Sequence, residues 1–178
     1  KNEFFNNLMM VSNVIVYGSF ATDLSIEFSD VDLRVVFDEK ANINSEIINF
    51  IEFCQKSEMF DYVKPITTAS VPLVKLCIDL NKFDNGNKQF KDKMDKLKKL
   101  KNPELEKELS LLKFDISFSI MNSPEMNEVT NSISFIQKNC VKYPELVPIL
   151  MVLKHFLNKS QLNCTYNGGM SSFCLFIS

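Results

Sequence analysis

A chain of 178 residues and 20.5 kDa, 46% hydrophobic and 24% charged, is long enough to bury a core and is not disordered, collagen-like or a disulfide-stapled miniature. Twenty basic against 22 acidic side chains leave a formal charge of −2, so nothing attracts polyanions globally and any nucleic acid contact must be local. The longest apolar run, within Leu146–Leu153, contains Pro148 and falls far short of the roughly 20 residues that cross a bilayer, so no membrane segment is expected.

Five cysteines (Cys54, Cys77, Cys140, Cys164 and Cys174) without a C-x-x-C spacing, and a single histidine, His155, do not complete a zinc pattern. They point to reduced thiols in an intracellular protein. A first residue Lys1, and an apolar ending over Phe173–Ser178, lead to the expectation that the chain is a piece of something longer.

In chain order, Asn2 to Asn13 has helical apolar spacing, and Val14 to Tyr17 is a β-branched run that stops in a turn at Gly18. A second strand follows at Val31 to Phe37, then a helix at Asn44 to Cys54. Further strands are predicted at Tyr62 to Thr67, Leu73 to Ile78 and Leu112 to Ile120. Between the last two, Phe90, Met94 and Leu97 share one helical face. Asn102-Pro103 then forms a cap and first turn, and Leu105, Leu109 and Leu112 share another face, so an inserted helical hairpin is expected at about 82–111. Residues 82–113 hold ten lysines against six carboxylates, a local +4 that leaves −6 elsewhere. This stretch reads either as a solvated insertion, the favoured view, or as an RNA-tracking or partner-docking arm. Beyond Pro124 strand signals vanish. Helices are expected at Val129 to Asn139, Leu146 to Leu157 and from Met170 to Ile177, so a domain boundary falls near 122.

The chemistry is concentrated in Tyr17-Gly18-Ser19, ten residues, and Asp30-Val31-Asp32-Leu33. On a strand, residues i and i+2 face one way, so Asp30 and Asp32 form a paired carboxylate platform while Val31 and Leu33 pack behind it. Such carboxylates repel each other unless a cation lies between them, and open hard-oxygen ligands suit Mg²⁺ carrying substrate phosphates. Asp115, in Phe114-Asp115-Ile116, is a third strand acid; three acids on adjacent strands could hold two metals that clamp the oxygens of a phosphoryl displacement. Gly18 lets backbone approach a phosphate, and the Ser19 hydroxyl and N–H can bond it. Nucleotidyl transfer is the chemistry implied.

Seven ordered blocks over about residues 14–178 resemble the DNA polymerase β-like nucleotidyltransferases. Within them the chain is most similar to the noncanonical poly(A) polymerases and terminal uridylyltransferases. The blocks are Tyr17 to Leu24, Ser29 to Leu33, Val71 to Leu76, Phe114 to Phe118, Tyr143 to Leu146, Val152 to Leu157, and Leu162-Asn163 with Gly168 to Phe173. The resemblance implies an α+β fold, a polymerase β-like mixed sheet with helices followed by the start of an all-helical domain. Residues 1–122 would form the catalytic domain and 123–178 the N-terminal part of the helical central (PAP-associated) domain.

It further implies that Asp30, Asp32 and Asp115 ligate two Mg²⁺ ions, with Mn²⁺ as an alternative, and that Asp115 lies near the attacking RNA 3′-hydroxyl. Gly18 and Ser19 would hold the β- and γ-phosphates, Lys154 would reach the triphosphate, and Asn131 the sugar and base. Ser172 would contact phosphates, and Phe173, where the family usually has Tyr, would stack on the base. Asp23 replaces the family's usual Gly after Thr22, and the insertion at 82–113 is longer than the usual connection. The segment that separates ATP from UTP is expected to lie beyond Ser178.

The implied activity is template-independent addition of AMP from ATP to RNA 3′ ends with release of pyrophosphate. Uridylyl transfer, or a catalytically silent scaffold in an RNA-processing complex, are the alternatives. An RNA-binding partner protein is expected from the absence of a broad basic surface, and the resemblance favours the nucleus over the cytoplasm.

Overall fold

The computed structural model describes residues 11–27, 29–66, 72–82, 88–99, 102–163 and 169–177. Most of the expected first helix (residues 2–10), and Val71, Cys164 and Gly168, lie outside them.

Strand β1 (Val11–Tyr17) starts three residues earlier than its β-branched run suggests, because Val11 already pairs with Phe37. The register shifts between Val11 and Asn13, where Asn13 Oδ1 accepts the Val14 N–H at 2.8 Å. Gly18–Ala21 is not an open turn but a four-residue helix, α1. Strand β2 (Val31–Phe37) is followed by helix α2 (Ile43–Lys56), β3 (Phe60–Ile66) and β4 (Leu73–Asp79). Helices α3 (Lys88–Leu97) and α4 (Pro103–Leu109) precede β5 (Leu111–Ile120). Helices α5 (Pro124–Lys142), α6 (Leu146–Lys159) and α7 (Ser172–Ile177) complete the described chain.

Local chemistry sets these boundaries. Asn42 Oδ1 accepts the Ser45 N–H and opens α2, and Asn102 Oδ1 accepts the Glu104 and Leu105 N–H groups ahead of Pro103. Ser123 Oγ accepts from Met126 ahead of Pro124, so α5 begins five residues before its apolar stripe does. Ser171 Oγ accepts the Cys174 N–H at 3.1 Å and starts α7. The lysines of α3 (Lys88, Lys91, Lys93 and Lys96) are exposed, and Met94 is its buried anchor.

The five strands form one sheet in the order β1-β2-β5-β4-β3, with β2 and β5 parallel and the other pairs antiparallel. Alternation divides the sheet into two chemically different faces. Val35, Phe37, Val74, Leu76, Ile116 and Phe118 pack against Ile47, Phe50 and Cys54 of α2 to make the main core. The opposite face carries Tyr17, Asp32, Arg34, Lys75, Asp115 and Ser117, at paired positions along the ladders. A second, smaller core joins Leu24, from the segment after α1, to Ile136 of α5 and Leu150 of α6, with Leu175 and Phe176 of α7 against it. The helices are thereby attached to the polar side of the sheet through the loop between β1 and β2.

Phe118 lies at the centre of the main core, 2% exposed, stacked on Phe37 at 6.0 Å and edge-on to Phe50 at 5.4 Å between ring centroids. Phe118→Ala is expected to cost about 3–5 kcal/mol, measured as a fall in the urea midpoint followed by circular dichroism.

Candidate nucleotide and metal site

Strand β1 delivers the chain to the polar face at Tyr17, and Gly18 then turns it with φ +65°. A Cβ at this position would lie 2.0 Å from Asp32 Oδ2 and 2.8 Å from its Cγ. Only glycine lets the backbone rest directly on that carboxylate. Thr22, buried, donates to the carbonyls of Gly18 (3.1 Å) and Ser19 (3.3 Å), and the Leu24 N–H donates to Ser19 O at 2.9 Å, closing the turn. Asp23, where the resemblance leads one to expect glycine, has the left-handed φ of 57° that glycine would take most readily. Farther along, Ser29 Oγ accepts the Ile26 N–H at 2.9 Å and returns the chain toward β2.

The parallel β2–β5 ladder puts Asp32 directly opposite Asp115, with Tyr17 on the far side of Asp32 and Lys75 on the far side of Asp115. Asp30 precedes β2 on the same face. The Asp32 carboxyl is pushed up to about 7, first by burial and then by the charges of Asp115 and Asp30. Asp30 is raised for the same reasons, burial first and Asp115 second. These are the energetics of acids that lack enough positive charge nearby.

The cation that answers them is Lys75. Its Nζ donates to both oxygens of Asp115, at 2.7 and 2.6 Å, and stands 3.8 Å from Asp30 Oδ2. Burial pulls its pKa down, but the Asp115 hydrogen bond and the surrounding carboxylates more than offset this and raise it. Among the described residues no three carboxylate, histidine or cysteine side chains are drawn together tightly enough to form a metal cage. The donor set is nonetheless of the right kind for a hard divalent cation: carboxylate oxygens on one face, short of positive charge, with an ammonium as stand-in cation against two of the three acids. Sequence reasoning gave Lys75 no role. Its signal was the alternation of β4, which sends Val74 and Leu76 to the core and leaves Lys75 on the acidic face.

Beside the acids, a cavity of about 310 Å³ is lined by Gly18, Ser19, Lys154, Ser172 and Phe173, and by Glu128 and Ser132 of α5. Five of the six residues expected around a nucleotide therefore meet in one concavity. Asn131 does not: it is exposed, and its helical neighbours Glu128, Val129, Ser132 and Ile133 line the wall instead. Lys154 is buried, donates to Leu24 O at 2.5 Å, and has its pKa lowered by burial against the raising field of Asp32. Next to it, His155 Nε2 lies 3.0 Å from Glu27 Oε2. That pair borders a second cavity, of about 450 Å³, between the loop after α1, α6, and the end of α4 with the start of β5.

Comparison with known proteins adds three findings. The family model described as poly(A) RNA polymerase, mitochondrial-like, central palm domain matches residues 2–85. Two curated relatives are the poly(A) RNA polymerase cid14 of Schizosaccharomyces pombe, 29% identical over 171 residues and 93% of this chain, and the inactive noncanonical poly(A) RNA polymerase protein Trf4-2 of Drosophila melanogaster, 28% identical over 166 residues and 92% of this chain. The chain spans only 20% and 32% of their lengths. Among solved structures, the Cid1 poly(U) polymerase with Mg 3′-dATP bound shares the fold, with a TM-score of 0.65 and 19% identity over 98% of this chain and 43% of that one.

Two expectations follow from the geometry. Gly18→Ala should lower stability by about 1–2 kcal/mol from the left-handed backbone alone, with more lost to the collision with Asp32. In an Asp32→Ala background much of that excess should vanish in a urea double-mutant cycle. Secondly, because the folded state raises the Asp32 pKa, its contribution to stability is complete below the ordinary carboxylate range and is lost as pH rises through about 7. Urea unfolding in EDTA should show stability falling from about pH 4 to 7, and Asp32→Asn should flatten that fall.

Proposed function

We propose that the chain is a member of the noncanonical poly(A) polymerase branch of the DNA polymerase β-like nucleotidyltransferases, and that it forms the catalytic part of an enzyme that adds AMP from ATP to RNA 3′ ends without a template, releasing pyrophosphate. The observation that carries this reading is the placement of Asp30, Asp32 and Asp115 on one sheet face, beside a cavity bounded by Gly18, Ser19 and Lys154.

In this reading the three aspartates hold two Mg²⁺ ions, or Mn²⁺, which when bound stabilise charge on the α-phosphate and the departing pyrophosphate. The chain's own groups do the rest. Gly18 brings backbone against the β- and γ-phosphates without Cβ interference, and Ser19 adds a hydroxyl donor. Lys154 is positioned by Leu24 O, and its buried ammonium, poor in compensating charge, gains by meeting a polyphosphate. Ser172 bonds phosphate oxygens from the start of α7, and Phe173, 42% exposed, offers a ring for the base to stack on. Asn131 reaches sugar or base only where the nucleotide extends to the exposed rim of α5. Asp115, on the same face as Asp30 and Asp32, orients the RNA 3′-hydroxyl for attack.

The cleft lies between a catalytic unit at 1–122 and a helical unit from 123. An RNA-binding partner supplies affinity that a −2 chain lacks, and the activity belongs to the nucleus. A scaffold role is the second reading, favoured by one fact: a relative of comparable similarity is named inactive. The three acids retained here favour catalysis.

The test is extension of a labelled RNA by the full-length protein with Mg²⁺ and each NTP separately. Extension with ATP, absent in Asp30→Ala plus Asp32→Ala, is expected. Extension with UTP alone would make it a uridylyltransferase, and no extension with any NTP, partners included, would leave the scaffold.

A further inference from the structure

We propose that Lys75 is a built-in placeholder cation: it occupies the acidic centre when no divalent ion is bound and must leave Asp115 when one binds. The proposal rests on the reading of Asp30, Asp32 and Asp115 as a metal site. Its basis is geometric. Strand β4 lies beside β5 in a register that sets Lys75 against Asp115, so the lysine is delivered to the acids by backbone pairing rather than by a loose surface contact. From there its Nζ takes both Asp115 oxygens and approaches Asp30. An ammonium on both Asp115 oxygens puts a positive charge where it repels a divalent ion ligated by the same oxygens, so the bound lysine and a metal at Asp115 compete. Lys75 is also reachable. Its side chain is 34% exposed and that of Asp30 36%, so the ammonium can swing toward solvent or an incoming phosphate without opening the core.

Two consequences follow. First, three carboxylates crowded on one sheet face would repel each other in metal-free protein, and Lys75 removes part of that repulsion, so the sheet can fold before metal arrives. Second, metal binding is a displacement. Its apparent affinity is the intrinsic affinity multiplied by the fraction of molecules in which Lys75 has left Asp115. A doubly charged ion repays that cost where a singly charged one does not, so the lysine makes the centre selective against K⁺ and Na⁺.

The experiment measures Mn²⁺ affinity by electron paramagnetic resonance, and thermal stability in EDTA and in Mn²⁺, for full-length wild type and Lys75→Met. The expected result for Lys75→Met is a lower midpoint in EDTA, a larger rise on adding Mn²⁺, and Mn²⁺ affinity tighter by at least about tenfold. Unchanged or weaker affinity overturns the proposal and leaves Lys75 as a residue that merely orients Asp115. If Lys75→Met does not fold, Lys75→Arg serves. Its forked guanidinium should grip Asp115 harder and weaken Mn²⁺ binding, and unchanged or tighter binding overturns the proposal. Wild-type protein that binds no Mn²⁺ at all would bring down the metal reading together with this one, whereas wild-type binding with no effect of Lys75 brings down this one alone.

Discussion

Two partly buried carboxylates, Asp32 and Asp115, face each other across a parallel strand pair, and the rest of the molecule is arranged around the cost of that juxtaposition. In a half-dry setting the charged forms repel and are poorly solvated, which is why the Asp32 carboxyl titrates near 7. Each neighbour on the polar face addresses the problem differently. Lys75 neutralises Asp115 from β4, while Lys154 acts on Asp32 from the helical side. The Tyr17 hydroxyl is turned to Ser117 Oγ at 3.0 Å rather than toward the acids. Below them Arg34, buried, donates to Phe118 O and lies over the Tyr17 ring. An arrangement this costly in the resting protein makes sense where a ligand completes it.

The loop between β1 and β2 converts that local requirement into a connection between sheet and helices. Gly18 presses on Asp32 at one end of the loop, and Leu24 is buried among α5 and α6 a few residues later. Lys154 hydrogen-bonds the Leu24 carbonyl, and His155, the next residue of the same helix, pairs with Glu27. One turn of α6 therefore grips the segment that shapes both the carboxylate contact and the cavity wall. The left-handed Asp23 lies at the bend between these anchor points, where glycine would have been the easier choice.

Much of this was legible from short-range pattern. Period-two alternation placed Asp30, Asp32 and Asp115 opposite the apolar residues of their strands, and cap signals such as Asn102-Pro103 marked where the hairpin helix begins. The family resemblance followed from ordered blocks. What escaped depends on pairing between distant strands or on helical phase. The contact of Lys75 with Asp115 needs the β4–β5 register, which no local window contains. Asn131 fails to line the cavity because Val129, Ser132, Ile133 and Ile136 share one stripe, and Asn131 is about 100° around the helix from Ser132. That phase was readable from the apolar spacing; the resemblance led past it. The early start of β1 reflects pairing of Val11 with Phe37, again a non-local contact.

The β2–β5 ladder has a kinetic corollary. Its side-chain bonds join residues 84 apart in sequence, Arg34 to Phe118 O and Ser117 to Leu33 O. Everything between, including α2, two strands and the lysine-rich insertion, is a loop that must close before the acids can meet. Closure entropy grows only logarithmically, each doubling of a flexible loop costing about 0.6 kcal/mol, so the insertion adds little to the barrier even though it adds many residues. Yet the parallel pairing itself is high in contact order, and such pairings are slow to form. Because α2 packs on side chains of both strands (Val35 and Phe37, Ile116 and Phe118), the pairing that builds the apolar face is the same one that brings the two acids together.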